Sequence, residues 1–156
     1  MQTDFPEPRY FVCSLTIQAA KRLVAHYNRV LAPVGITAQQ MIALGVLWRH
    51  GRLSLGAFSR RAGMGKAAAV TMVRRLEAMG LVSREEDPTD ARLNALVLTS
   101  KARELAPVVA GKVRDLERSL EQALGKEELQ TLVRALMDIR ALDLEDPARH
   151  REDGHG

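Results

Sequence analysis

The segment from Ser54 to Thr99 constrains the fold of this 156-residue chain more than any other. It reads in order as a short helix, a turn, a second helix and two strands joined by a charged loop. Gly63 and Gly65 allow the tight backbone turn that such a helix pair requires. This order predicts a winged helix-turn-helix, a shape that offers one helix to a DNA major groove and a β-hairpin, the wing, to the neighbouring backbone.

The remainder of the chain is predicted to be helical, because apolar residues recur at intervals of three and four. The predicted flanking helices are Tyr10–Leu31, a helix capped by Thr37 that stops at Gly51, Thr99–Leu124 and Lys126–Leu144. The predicted fold class is therefore mainly α with a small β-hairpin wing: a winged helix-turn-helix core plus N- and C-terminal dimerisation helices. The outer helices are assigned to a homodimer because their apolar stripes must be buried somewhere, and two-fold pairing of identical chains is the commonest solution.

Four segments are expected along the chain. They are an N-terminal arm with the first dimerisation helix, residues 1–36; the DNA-binding lobe, residues 37–99; the C-terminal dimerisation helices, residues 100–145; and a flexible polar tail, residues 146–156.

Positive charge is concentrated in the winged segment. The net charge is +4, yet Arg49 to Arg103 holds eleven basic and five acidic residues, whereas the rest of the chain holds 12 basic and 14 acidic ones. Double-stranded DNA is therefore the expected partner. The chain has no apolar run of 18 residues and no apolar leader, and Cys13 is its single cysteine. We accordingly expect a cytoplasmic protein with no membrane association.

The second helix of the winged segment is the candidate recognition helix. Lys66 is suited to donate to guanine, and Thr71 can hydrogen-bond a base or a phosphate. The small apolar side chains that can touch thymine methyl groups are Ala67, Ala68 and Val70. Arg74 and Arg75 are candidates for phosphate contacts. The alternative is that an Ala-rich helix with two arginines is an ordinary surface helix.

The charged loop of the hairpin carries a second candidate contact. Asp90 and Arg92 flank Ala91 at the predicted tip. A carboxylate beside a guanidinium can orient it toward a narrow minor groove, which attracts arginine. The alternative is an exposed ion pair of little energetic consequence.

Three groups of residues resemble the MarR family of transcriptional regulators. They are Asp87-Pro-Thr-Asp90-Ala-Arg92 with Val97-Leu-Thr99, Val73-Arg-Arg-Leu-Glu77 through Gly80-Leu-Val82, and Val34-Gly-Ile-Thr37 through Trp48. The resemblance spans Tyr10 to Leu142 and implies a homodimeric repressor on a pseudo-palindromic operator, released by a small ligand or by oxidation. Ala91 and Thr71 stand where family members commonly have arginine, so the operator sequence does not carry over.

The resemblance also suggests where a signal enters. A pocket between the dimerisation helices and the DNA-binding lobe is implied, with His26, Tyr27 and Trp48 as candidate lining residues for a small aromatic or phenolic effector. Cys13 resembles the reactive cysteine of the peroxide-sensing branch, and Tyr27 one of the tyrosines beside it, whereas Ala38 stands where a second tyrosine is expected. The alternative for Cys13 is a buried small hydrophobe.

Two other classes of function remain as alternatives. An enzyme is not expected, because the chain has no nucleophile elbow, phosphate loop, dinucleotide fingerprint or metal-ligand cluster, and a thiol peroxidase using Cys13 would lack a resolving cysteine. We therefore predict no cofactor and no metal. A winged helix used for protein contacts is the third alternative, and the positive winged segment disfavours it.

Overall fold

The structure is a computed structural model that describes residues 11–86 and 94–142. Within them, six α-helices and three strands follow one another along the chain, with a short 3-10 helix, Ala32–Val34, directly after the first α-helix. They are α1 (Val12–Leu31), α2 (Ala38–His50), β1 (Leu53–Ser54), α3 (Leu55–Arg61), α4 (Lys66–Ala78), β2 (Val82–Glu86), β3 (Asn94–Leu98), α5 (Ser100–Leu124) and α6 (Lys126–Ala141). The predicted fold class, mainly helical with a small wing, is confirmed.

The described residues form two compact units, one ending at Lys112 and the other beginning at Val113. The core of the first unit is built from the helices and the sheet of the winged segment, together with α2, the end of α1 and the first part of α5. Its largest fully buried side chains are Phe58, Leu31, Leu44, Leu47, Leu76, Leu81, Leu96, Val73 and Val109. This core is almost purely aliphatic, as a chain with only 4% aromatic residues requires.

Helix boundaries in the first unit follow local capping chemistry. Thr37 and Gln40 form a complete capping box at the start of α2. Ser54 caps α3 by accepting a hydrogen bond from the backbone N–H of Ala57 at 3.2 Å. Gly80, with φ 68°, takes the left-handed conformation directly after the end of α4. The cap predicted at Thr37 is confirmed.

The sheet has three antiparallel strands in the order β1-β3-β2. Val82 pairs with Leu98 and Arg84 with Leu96, which places these residues on one face of the sheet. The sequence predicted β2 and β3 but not β1, which pairs Leu53 with Leu96. A two-residue strand is too short to show the alternation by which strands are recognised.

The second unit, from Val113 onward, has almost no core of its own. Leu116 is the only buried residue among those the structure describes there, and α6 buries none. The large apolar side chains that α6 exposes are Leu132, Val133, Leu136, Met137 and Ile139. The apolar stripes of the helices in the second unit are therefore left largely exposed in the single chain.

Helix α1, in the first unit, has the same character. It buries only Leu31, and it exposes Val12, Leu15, Ile17, Leu23 and Val24. Within the described ranges, no individual helix has the length and hydropathy needed to cross a bilayer. Only α1 with its short 3-10 extension and α2, taken together and bent by 74°, reach those values.

Candidate nucleic-acid interface

Helix α4 has one face in the core and the opposite face in solvent. Ala69, Met72, Val73 and Leu76 are buried, at the three- and four-residue spacing of a helical stripe. The residues of its exposed face include six of the seven DNA contacts predicted on this helix, namely Lys66, Ala67, Ala68, Thr71, Arg74 and Arg75. Val70, the seventh, is half-buried at the edge of the stripe. The structure thus gathers the predicted contacts on one solvent-facing surface.

The hydroxyl of Thr71 is already used as a donor. Its Oγ1 donates to the backbone carbonyl of Ala67 at 3.0 Å, the local i to i−4 bond that threonine often makes within helices. Its oxygen retains acceptor capacity, so in this conformation Thr71 can accept a hydrogen bond from a base amino group but has no proton for a phosphate.

The turn before α4 is held from within the lobe. Ser59 is buried, its Oγ donates to the carbonyl of Met64 at 2.6 Å, and the N–H of Met64 donates back to the carbonyl of Ser59 at 3.0 Å. Gly63 takes the left-handed region, with φ 64°, which a side chain would strain. The reciprocal bonds fix the direction in which α4 leaves the turn, and with it the position of Lys66.

The other end of α4 is held by the first turn of α5. Thr99 Oγ1 donates to the carbonyl of Gly80 at 2.7 Å, and Lys101 Nζ donates to the carbonyl of Met79 at 2.9 Å. An ammonium at a helix C-terminus also compensates the negative end of the helix dipole. Both ends of the candidate recognition helix are therefore tied to neighbouring elements by side-chain hydrogen bonds.

The exposed face of α4 borders a cleft of about 550 Å³. Ala67, Ala68, Thr71 and Arg75 contribute to one wall of it, and Gln39 and Ile42 of α2 are among the residues that contribute to the rest. Ile42 is 49% exposed although it is large and apolar. The surface that the predicted contacts share is thus recessed along the side that adjoins α2.

The predicted wing contacts, Asp90 and Arg92, lie outside the described residues, as does Ala91. The strands on either side are described, and two ion pairs hold β2. Arg84 Nε lies 2.8 Å from Glu77 Oε1 of α4, and Arg52 Nη1 lies 2.8 Å from Glu85 Oε2. Sequence reasoning missed these pairs, since Arg52 and Glu85 are 33 residues apart and no local spacing reveals them.

Basic side chains also meet where α2 and α3 end. Arg61 Nη1 lies 3.4 Å from His50 Nε2. Loss of water around the ring, together with the charges of Arg61 and Arg49, lowers the pKa of His50 below its ordinary value of 6.5. The charged form of His50 is therefore disfavoured, and the surrounding positive charge comes from arginine.

The predicted signal residues have more varied surroundings. Cys13 is exposed in the single chain, so the alternative that it is a buried hydrophobe is wrong for the protomer. His26 and Tyr27 are half-buried on α1. Trp48 is also half-buried, and its indole Nε1 donates to the carbonyl of Ala102 at 3.0 Å. In the described part of the chain, no three His, Cys, Asp or Glu side chains converge as a metal site would require.

The chain has the features that define a winged helix-turn-helix protein. These are a helix-turn-helix whose apolar stripe is buried, a pair of antiparallel strands, and a helix with an exposed basic face. Residues 34–93 match the model of the MarR family. Among curated proteins, the chain is 25% identical over 130 residues to the organic hydroperoxide resistance transcriptional regulator of Bacillus subtilis (strain 168), covering 80% of this chain and 88% of that protein.

Solved structures give the same result. Bordetella bronchiseptica BpsR, whose DNA binding is regulated by 6-hydroxynicotinic acid, superposes with a TM-score of 0.78 at 25% identity, over 86% of this chain and 96% of BpsR. The repressor CouR bound to a 23-mer DNA duplex superposes with a TM-score of 0.80 at 24% identity, over 90% and 99% of the two chains, and shares the fold. The winged segment, residues 34–93, thus matches the MarR family, and the curated relative and BpsR to which the chain is similar are DNA-binding regulators.

Proposed function

We propose that the chain is a homodimeric repressor that binds a pseudo-palindromic operator and is released from it by a small ligand. The observation that carries this proposal is the exposed face of α4, where Lys66, Arg74 and Arg75 stand opposite a buried apolar stripe. In the proposal, residues 37–99 are the DNA-binding lobe, Lys66 and Thr71 read bases, and the two arginines contact phosphates. Asp90 and Arg92 contact the neighbouring minor groove.

The homodimer is supported by the exposed apolar faces of α1 and α6. Met137 is 60% exposed and Val12 65%, values that a monomeric protein in water would not sustain along whole helices. In a two-fold dimer, each chain covers the exposed apolar faces of the other. The two copies of α4 then reach successive major grooves about 34 Å apart. The proposed assignments are residues 1–36 and 100–145 to the dimerisation region and residues 146–156 to a tail.

In the proposal, a small aromatic or phenolic effector that binds near His26, Tyr27 and Trp48 releases the protein from its operator. Support comes from the half-buried placement of these side chains and from BpsR, whose DNA binding responds to an aromatic acid. Trp48 bonds to the first turn of α5, and α5 in turn holds the end of α4 through Thr99 and Lys101. A ligand that displaces Trp48 is therefore linked to the recognition helix by three hydrogen bonds. The protein acts in the cytoplasm and has no enzymatic activity in this proposal.

The test is fluorescence anisotropy with the DNA upstream of the protein's own gene, with a scrambled duplex as the control. We expect specific binding at physiological salt, with a dissociation constant of about 10⁻⁸ M or lower and a steep salt dependence. Equal affinity for both duplexes would refute the proposal. Anisotropy in the presence of phenolic acids then tests release.

A second candidate signal is organic peroxide acting on Cys13. It is favoured by the exposure of Cys13 and by the similarity to the hydroperoxide resistance regulator of Bacillus subtilis. Peroxide would oxidise the thiolate to a sulfenic acid and be reduced to the corresponding alcohol. Treatment with cumene hydroperoxide should then release wild-type protein from DNA but not the Cys13→Ser variant. Equal retention of both proteins on DNA would exclude Cys13 as the sensor.

A further inference from the structure

The wing stem, defined as strands β2 and β3, is tied down on both faces of the sheet. Arg84 and Glu85 are consecutive residues of β2, so their side chains point to opposite faces. On one face Arg84 pairs with Glu77 of α4. On the other face Glu85 pairs with Arg52, which directly precedes β1 at the far edge of the sheet. Two pairs of 2.8 Å thus hold the stem from two sides.

The pair on the α4 side is the more shielded of the two. Arg84 lies opposite Leu96 and Glu85 lies opposite Ala95, and both of these partners are buried. The two pairs therefore differ in the exposure of their acidic side chains. The Glu77 side chain is 28% exposed, whereas that of Glu85 is 56% exposed. Solvent therefore screens the Glu77–Arg84 attraction less, and this pair links the stem to the last turn of the recognition helix.

Acidic side chains on a DNA-binding lobe oppose its function by simple electrostatics, because DNA repels them. We propose that Glu77 and Glu85 are positioning residues that hold Arg84 and Arg52 in place and fix the wing stem against α4. Helix α4 and the wing stem then meet the duplex as one preformed surface, and their relative position need not be ordered at binding. This inference rests on the proposed function, in that the surface is the one assigned to DNA.

The two possible roles of Glu77, a nearby negative charge or a positioning residue, predict opposite changes in DNA affinity. If Glu77 were only a nearby negative charge, Glu77→Gln would strengthen DNA binding. If it positions Arg84, the same substitution weakens DNA binding although the protein gains positive charge. Exposed ion pairs contribute little to folding, so the melting temperature should hardly change in either case.

The experiment compares Glu77→Gln with Glu104→Gln, which removes the same charge from an exposed position on α5. We expect Glu77→Gln to weaken specific binding about fivefold, the fold-change of a well-formed exposed pair, and Glu104→Gln to leave it equal or slightly stronger. Binding by Glu77→Gln as tight as that of Glu104→Gln overturns the proposal. The charge-swapped variant Glu77→Arg/Arg84→Glu, with the wild-type net charge, should recover affinity relative to Arg84→Glu alone; no recovery also overturns it.

Hydrogen exchange without DNA separates this inference from the proposed function. Amides of Val82 to Glu86 should exchange faster in Glu77→Gln than in wild type or Glu104→Gln, while those of α2 stay unchanged. If wild-type protein binds no specific DNA, the proposed function fails, and the exchange rates alone decide the inference. Unchanged β2 exchange in Glu77→Gln would show that the pair does not hold the stem.

Discussion

The first compact unit packs Phe58, Leu44 and Leu47 completely away from solvent, whereas the second buries only Leu116 among its described residues. Both units consist largely of amphipathic helices with similar apolar spacing. They differ in that the first contains elements that cross one another and enclose a core, while the second consists of the end of α5 and α6. Periodicity thus predicts which face of a helix is apolar but not whether the same chain covers it.

This difference separates two sources of stability. In the first unit, burial is intramolecular, so its free energy of unfolding should not depend on protein concentration. For α6 and the exposed face of α1, we propose that burial comes from a second chain, which makes the stability of those helices a function of concentration. The predictions below test this contrast, from the largest expected effect to the smallest.

Leu47→Ala should lower the free energy of unfolding more than the other substitutions. Leu47 is fully buried, and truncating such a leucine removes its transfer free energy and leaves a cavity, for a loss of about 2–5 kcal/mol. Urea denaturation at several protein concentrations measures it. The control is Leu132→Ala in α6, where the side chain is 46% exposed in the single chain. Its cost should vary with concentration, and a constant cost equal to that of Leu47→Ala would contradict the contrast.

Leu136→Glu should separate the subunits. This side chain is 44% exposed on α6, and a carboxylate there is costly only if a partner covers the face. Light scattering should show the mass falling from twice 17.3 kDa to the single-chain value. Operator affinity should fall about a hundredfold, because two linked half-site contacts become independent. Gln130→Glu places the same charge on the same helix and serves as the control; a similar loss there would implicate charge rather than the apolar face.

The local features of the lobe could be predicted from the sequence because neighbouring residues determine them. The stripe of Ala69, Val73 and Leu76 follows from helical spacing, and the caps at Thr37 and Ser54 follow from side-chain chemistry within one turn. The cap at Thr37 was predicted correctly.

Features that depend on distant residues were not predictable. The ion pair between Arg52 and Glu85 and the bond from Lys101 to Met79 join positions that only the folded backbone brings together. The sequence also left open whether Cys13 is a reactive or a buried cysteine, because an apolar helical pattern suggests burial without saying which chain provides it. The candidate recognition helix could be predicted from one short stretch of sequence, whereas the contacts that hold it in place could not.

Arg75→Ala tests the first unit as the DNA-contacting one. Arg75 is exposed on α4, and loss of one phosphate contact should weaken binding about tenfold, equally for specific and scrambled duplexes. The slope of log affinity against log salt should fall by about 0.9. Arg118→Ala, in the second unit, removes an exposed arginine paired with Asp115 and is the matched control. A slope reduced equally by both variants would place DNA contacts outside the lobe.

The smallest effect should come from His50, at the end of α2. Its pKa is lowered by loss of water around the ring and by Arg61 and Arg49, so the folded lobe binds this proton less tightly than the unfolded chain does. The contribution of His50 to stability is therefore complete above the unfolded value of 6.5 and declines as the pH falls through 6.5 toward the folded pKa. The melting temperature should drop less in His50→Gln than in wild type between about pH 7.5 and pH 5.5.

Titration of the ring by NMR checks the cause: Arg61→Gln should move the pKa of His50 back toward 6.5, since it removes one of the two cations. A wild-type pKa of 6.5 would remove the pH dependence from this corner, and a pKa above 6.5 would reverse its sign; either result would contradict the prediction.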